Sequence, residues 1–379
     1  MTAKQPTDLK LTDKAFRFMA HAIERRFYAD GLIVSDLTPF DEIYRDGIMS
    51  VRHYPPLVES EIRIGDRRIP VSRQRHRVPV VLVPPLAATS MIFDLLPQRS
   101  LVRFLLAHGF DVYLIDWGTV TDDHADLSLE SYVLDWMPGA IAQVRAHSGQ
   151  PEVSLFAYCM GGLLALMYAA TAREGAIRNL VTVATPVDMH QSGVAGRVFS
   201  AVGGPARWLS QRLNVSLMDL PAKYLHIPGW MNSTLFKLTN PVASLTSYRD
   251  LLLNLWDREF LQEHTTVSSW FDDMVDYPGE TVKGMLVRLM LNNQMAKGRM
   301  RLRGQPTLFE NIQCSILAFA GDTDHLVSIR AVRKVLDIVS SQDKSVQVMP
   351  GGHAGVFAGS RAPEHMWQAS VDWLVNRSD

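Results

Sequence analysis

The sequence is short of cysteine, of net charge and of leader-like hydrophobic sequence. Its 379 residues contain two cysteines, Cys159 and Cys314, too few for a disulfide framework. The formal net charge is −1, with 38 Lys and Arg against 39 Asp and Glu, so no global electrostatic pull toward nucleic acid or anionic lipid is expected. The first residues, MTAKQPTDLKLTDKAF, lack the apolar core of a signal peptide, and a reducing, cytoplasmic setting is expected. No repeat, low-complexity linker, metal-ligand spacing, P-loop or dinucleotide fingerprint appears, and no cofactor or metal is expected. One uncharged stretch, Val153 to Ala172, approaches the length of a bilayer span. Gly161 and Gly162 divide it into a β-like half, VSLFAY, and a helix-like half, LLALMYAATA. A strand, a tight turn and a buried helix fit these residues better than a transmembrane segment.

What is present is a β/α alternation. VPVVLVPP (78–85), DVYLIDWG (111–118), VSLFAY (153–158), NLVTVATP (179–186), the first part of 311–327 and SVQVMP (345–350) are apolar, strand-like runs. Helical patterns over 99–109, 129–147, 162–173, 328–340 and 363–376 separate or follow them. Continuous apolar strands alternating with helices predict a mostly parallel sheet covered on both faces. Residues 187–307 break the pattern; they are rich in Leu, Met and Trp and read as a mainly helical cap inserted between 76–186 and 308–379. Ahead of the sheet, residues 1–75 read as an arm. It has a helix over 10–29, whose Phe16, Met19, Ala20, Ile23 and Phe27 are expected to pack on the main domain, and a hairpin over 59–74 turning at Gly65-Asp66.

The turn at residue 159 carries the chemistry. Ala157-Tyr158-Cys159-Met160-Gly161 lies between a strand and a helix, in the order of the nucleophile elbow G-x-S-x-G, with Ala for the first Gly and Cys for Ser. Small residues are needed there because strand and helix approach closely. The elbow exposes the thiol above the sheet beside a helix N-terminus, which favours thiolate. Alone, Cys159 reads equally well as a small buried hydrophobe. Its partners decide: such an elbow needs an acid and then a histidine from later strand ends, in that chain order. AFAGDTDHLV supplies Asp322 and Asp324 after an apolar strand, and Asp324, beyond the tight turn, is the better placed to reach back. VMPGGHAGVF supplies His353 after the next strand. The expected triad is therefore Cys159, Asp324 and His353. The expected oxyanion hole is the backbone N–H of Met160 and that of Leu86, since Pro84 and Pro85 have none to donate. His325 reads equally as support for the acid or as plain loop, and Cys314 as inert core. The fold class expected is an α/β-hydrolase fold with an inserted helical cap.

With these residues placed, the chain resembles the poly(3-hydroxyalkanoate) synthases over about residues 75–377. The resemblance rests on VPPLAATSMIFDLLPQRSLVRFLLAHGFDVYLIDWG, AYCMGG, GDTDHLV and PGGHAGVFAGSRAPEHMW, and on the cap segment YPGETVKGMLVRLMLNNQMAKGRMRLRG. It implies polymerisation of (R)-3-hydroxyacyl-CoA, with a coenzyme A thioester as substrate and a growing polyester chain as product. It also implies a homodimer, a second synthase subunit, and a place at the surface of polyester granules. The short N-terminal region is most like that of the two-subunit type. Asn293 and Arg299, in the cap segment, are the substrate contacts it suggests, together with His325. Ala157 in place of glycine and the SSWFDDMVDYPGET stretch depart from the family pattern, and the second leaves acyl-chain length open.

The chemistry agrees with this reading. A cysteine exchanging one thioester for another keeps the acyl group activated, whereas serine would lower it to an ester. With water as acceptor the same site is a thioesterase or depolymerase, so water exclusion by cap aromatics such as Trp230, Trp256, Trp270 and Phe271 separates the two. A non-catalytic, granule-associated homologue is the further alternative, against which the intact triad stands. Coenzyme A also calls for a basic entrance. Lys283, Arg288, Lys297, Arg299, Arg301 and Arg303 form one candidate cluster, and Arg67, Arg68, Arg73, Arg75 and Arg77 another; a solvated face explains such runs as readily.

Overall fold

A computed structural model describes residues 11–172, 175–193, 221–238 and 249–379, with a few isolated positions between 196 and 212. Its centre is an eight-stranded sheet. The strands are β1 (Asp41–Asp46), β2 (Met49–Tyr54), β3 (Val80–Val83), β4 (Val112–Asp116), β5 (Val153–Tyr158), β6 (Ile177–Val183), β7 (Ser315–Gly321) and β8 (Lys344–Met349). Their order is β1-β2-β4-β3-β5-β6-β7-β8. All pairs from β4 to β8 are parallel, while β2 runs antiparallel to both β1 and β4.

The apolar runs are continuous because both sheet faces are covered. Val81, Val83, Leu155 and Ala157 enter one core cluster with the helix Met160–Thr171. Their alternates Val80, Leu82, Phe156 and Tyr158 enter the other, with the helix Leu101–Ala107 and the C-terminal helix. The two-residue period of a strand sends neighbours to opposite faces, so a strand covered twice is apolar at every position.

The sheet begins earlier than the alternation suggests. β1 and β2 lie within the first 75 residues and form a hairpin across Asp46-Gly47, where Gly47 takes φ 60°. Asp-Gly is a strong hairpin signal. The hairpin expected near Gly65-Asp66 is present, pairing Glu61–Ile64 with Arg67–Pro70. The N-terminal helix, Leu11–Phe27, lies the other way round from the expectation. It docks through polar groups: His21 Nδ1 bonds the Leu255 carbonyl (2.7 Å), Arg25 reaches His264 and Thr265, and Glu24 pairs with Arg258. Phe16, Met19, Ile23 and Phe27 all face solvent. The apolar period predicts the helix but not which face meets the body.

Within the cap, helices run over Gly229–Leu238, Arg258–Asp272 and Gly279–Leu291. A two-stranded hairpin, Arg299–Leu302 with Gln305–Leu308, closes the cap and leads into β7. Much of the expected cap between 194 and 220, and 239–248, lies outside the described residues. No described helix is long and apolar enough to cross a membrane.

Candidate active site

Loops at the carboxyl ends of β3, β5, β7 and β8 build the site. β5 ends at Tyr158, and Cys159 follows with φ 52° and ψ −119°, a left-handed conformation that costs a non-glycine residue about 1–3 kcal/mol. The surroundings hold it there. Cys159 N–H donates to the Val183 carbonyl (2.8 Å), and Gly162 N–H donates to the Cys159 carbonyl (3.0 Å). The glycines after it have no room for a side chain. A Cβ on Gly161 would lie 2.3 Å from the Val83 carbonyl oxygen, and one on Gly162 would lie 1.9 Å from Thr185 Oγ1. Ala157, by contrast, is fully buried in register with Val83 and Thr182, so its methyl group is accommodated.

The acid and histidine loops are laced together. Thr323 N–H donates to the Gly351 carbonyl (3.2 Å), and Gly351 N–H donates to Asp322 Oδ1 (2.8 Å). Asp322 thus supports the loop from the surface; the Gly351 bond holds its carboxyl below the usual carboxylate range. Asp324 turns inward with a wholly buried side chain. Its Oδ1 accepts the N–H groups of Leu326 (2.9 Å) and Val327 (2.8 Å), and its Oδ2 meets His353 Nδ1 at 2.8 Å. These bonds leave the carboxylate one orientation.

The Cys159 thiol lies close enough to the His353 ring to act on its proton affinity. Burial pulls the imidazole pKa down. The Cys159 charge, the hydrogen bonds to Asp324 and Cys159, and the Asp324 charge outweigh that and push it up to about 10. The imidazole therefore holds a proton more readily than a free imidazole does. Tyr158 packs at this junction. Its hydroxyl donates to the His353 carbonyl (3.2 Å), and its ring stacks on Phe357 at 4.4 Å. Burial, then the Cys159 and Asp324 charges, keep that phenol neutral.

Met160 opens the helix after the elbow, and Leu86 lies buried in the loop after β3. That loop is held by Trp117 Nε1, which donates to the Pro84 carbonyl (3.0 Å), and by Ser90 Oγ, which donates to Asp116 (3.1 Å). Neither the Met160 nor the Leu86 N–H donates to a backbone oxygen among the described residues. His325 is exposed beside the acid, and burial pushes the Cys314 thiol up to about 12.

The remaining sequence candidates lie apart from this centre. Asn293, at φ 45°, is buried; its Nδ2 donates to Asp188 (2.8 Å) and its Oδ1 accepts the Met189 N–H (3.2 Å). Its amide ties the cap to the loop after β6. Arg299 is exposed on the hairpin beyond it. Neither contacts Cys159 or His353 among the described residues. Much of the basic cluster is engaged within the chain: Arg288 pairs with Glu130, Arg303 with Asp135 and Lys283 with Glu280. Lys297 and Arg301 bond the carbonyls of Asn292 and Gly304.

Of the cap aromatics, Trp230 faces solvent and Trp256 lies beneath the Lys14 ammonium. Trp270 is buried against Phe271, ring centroids 4.7 Å apart. Phe236 continues the row, 5.5 Å from Phe271 and 6.0 Å from the His353 ring. Phe236 and the buried Tyr277, whose phenol feels the Cys159 charge, escape the sequence reading. Both come from the cap, where no strand end marks a position. No cluster able to hold a metal ion occurs among the described residues.

Comparison with known proteins gives the same frame. A family model described as the alpha/beta hydrolase fold matches residues 78–359. A poly(3-hydroxyalkanoate) polymerase subunit PhaC of Haloferax mediterranei is 31% identical over 343 residues, covering 90% of this chain and 65% of that protein. The chain thus spans just under two thirds of that relative. The subunit of the same name from Allochromatium vinosum is 30% identical over 303 residues, covering 79% of this chain and 81% of its own length. Among solved structures, the monoacylglycerol lipase of Paleococcus ferrophilus superposes with a TM-score of 0.50 at 20% identity, covering 80% of this chain and 96% of the lipase, a likeness of fold. The chain belongs to the alpha/beta hydrolase fold family and, within it, to the family of poly(3-hydroxyalkanoate) polymerase PhaC subunits.

Proposed function

We propose that this chain polymerises (R)-3-hydroxyacyl groups from their coenzyme A thioesters through an acyl-Cys159 intermediate. The observation that carries the reading is a cysteine, rather than a serine, on a strained elbow beside a hydrogen-bonded His353–Asp324 pair, in a chain of this family. His353 takes the Sγ proton as sulfur attacks the thioester carbonyl, and the Met160 and Leu86 N–H groups receive the oxyanion. The bond from carbonyl carbon to coenzyme A sulfur then breaks, and the leaving thiolate takes the proton back from His353. In the second half a 3-hydroxyl attacks the acyl-cysteine and gives its proton to His353. The ester forms and the Cys159 thiolate leaves. One coenzyme A is released per monomer added, and no electrons change hands, so the sequence requires no cofactor.

Phe236, Phe271 and Trp270 form the apolar cover that keeps water from replacing the hydroxyl. The relatives are named as subunits, which supports a second synthase subunit as partner, and the reading includes a homodimer in the cytoplasm at polymer granules. The test uses purified chain, (R)-3-hydroxybutyryl-CoA and a Cys159→Ala control. Insoluble polymer that disappears in the control supports a polymerase. Coenzyme A release with only soluble acid makes the protein a thioesterase and overturns the reading.

A further inference from the structure

Tyr277 is the buried polar group that this mechanism leaves unused. Its backbone is fixed from several sides: it exchanges hydrogen bonds with Ile227 (3.2 and 2.8 Å), and Pro278 and the helix from Gly279 follow directly. Two residues earlier, Val275 N–H donates to the Ala87 carbonyl (2.8 Å). Ala87 is the neighbour of Leu86, so cap segment 275–277 is stitched to the loop that carries the second oxyanion donor. Asn232 Nδ2 binds the Val275 carbonyl (2.9 Å) and holds the same segment from the helix Gly229–Leu238.

The Tyr277 side chain enters the core cluster that contains Val83, Leu86, Trp117 and Tyr132 and against which Cys159 packs. The residue is 7% exposed; its hydroxyl makes no hydrogen bond to a described residue and is not sealed off within the core, so it reaches open space. Burial first, and then the charges of Cys159 and Tyr132, raise the phenol's pKa, so it is an O–H donor at any working pH. Phenylalanine would fill an apolar slot equally well without placing a donor at that opening.

We propose that Tyr277 is a specificity-determining residue whose hydroxyl donates a hydrogen bond to the oxygen on C3 of the acyl group carried by Cys159. That oxygen stands four bonds from the sulfur and is the polar atom that distinguishes a 3-hydroxyacyl group from a plain fatty acyl group. An unmade bond to a buried donor is what rejects an analogue lacking the oxygen. The inference rests on the acyl-Cys159 reading above.

The experiment compares single-turnover coenzyme A release from (R)-3-hydroxybutyryl-CoA and from butyryl-CoA, in the wild-type chain and in Tyr277→Phe, which keeps the ring. The expected result is a roughly five- to tenfold slower reaction of the hydroxyacyl substrate in the variant, with butyryl-CoA unchanged within twofold. Equal losses on both substrates, or no loss on either, overturn the assignment. Wild-type protein that releases one equivalent of coenzyme A but forms no polymer refutes the polymerase reading and leaves this comparison intact. No release from either thioester overturns both.

Discussion

Asp324→Asn separates the orientation of His353 from every other property of the site. The amide is isosteric with the carboxylate, but its two ends differ. If its oxygen keeps the Leu326 and Val327 N–H groups, its NH₂ faces His353 Nδ1, which must then accept. The ring proton moves to Nε2, and the imidazole can no longer take the thiol proton. If the amide flips, the correct tautomer returns, but two buried N–H groups face an NH₂. Those two bonds are worth about 1 kcal/mol each, and the lost charge-assisted bond to His353 about 2 kcal/mol more. Reaction through the flipped arrangement, the one with the correct tautomer, therefore has a barrier higher by about 4 kcal/mol, roughly a 10³-fold loss in rate. The assay is single-turnover coenzyme A release with (R)-3-hydroxybutyryl-CoA, with circular dichroism to establish folding. Asp322→Asn, at the surface, is the control and should stay within about threefold, since the amide oxygen can still accept the Gly351 N–H. An Asp324→Asn protein within tenfold of wild type refutes the orienting role.

Cys159→Ala should lower the pKa of His353 from about 10, because it removes the Cys159 charge and hydrogen bond and leaves the opposing burial; an NMR titration unchanged from wild type contradicts the pairing. The sign for stability follows: a folded value above the ordinary 6.5 means stability complete below about pH 6.5 and lost as pH rises through about 10. The wild-type advantage over Cys159→Ala in denaturant unfolding should shrink across that window. Gly161→Ala should destabilise by about 1–3 kcal/mol, since the new Cβ meets the backbone oxygens of Val83 and Pro84 at 2.3 and 2.6 Å; an unchanged melting temperature refutes that close approach. Arg288→Met should cost about 3 kcal/mol by leaving Glu130 buried and unpaired, with KM for acyl-CoA within twofold. A raised KM at unchanged stability would instead make Arg288 a contact to coenzyme A.

Elements whose pattern comes from local burial were legible. The runs at 80–83, 153–158 and 315–321 are apolar at nearly every position because both faces of the sheet are covered. The elbow was legible because strand, small residue and helix must meet at one turn. Asp324 was legible because it follows such a strand, and His353 because it follows the Pro-Gly-Gly turn that ends the edge strand β8. β1 and β2 carried a readable Asp-Gly turn, but their half-exposed strands lack the continuous apolar run that marked the others. The orientation of the N-terminal helix was not legible. Phe16, Met19 and Ile23 form a good stripe, yet the body offers His21, Glu24 and Arg25 their partners on the other side.

By itself, the sequence determined the six strands β3 to β8, the order of the loops that follow them and the place of Cys159 on an elbow, since all three depend on residues near one another in the chain or at recurring strand ends. Tertiary structure decided where the cap's side chains go. Phe236 lies beside His353 and Tyr277 near Cys159, while Asn293 and most of the basic cluster face partners of their own. A loop at a strand end has its position fixed by the sheet beneath it. A cap residue has its position fixed only by what it packs against, and those contacts join residues a hundred positions apart with no periodicity to announce them.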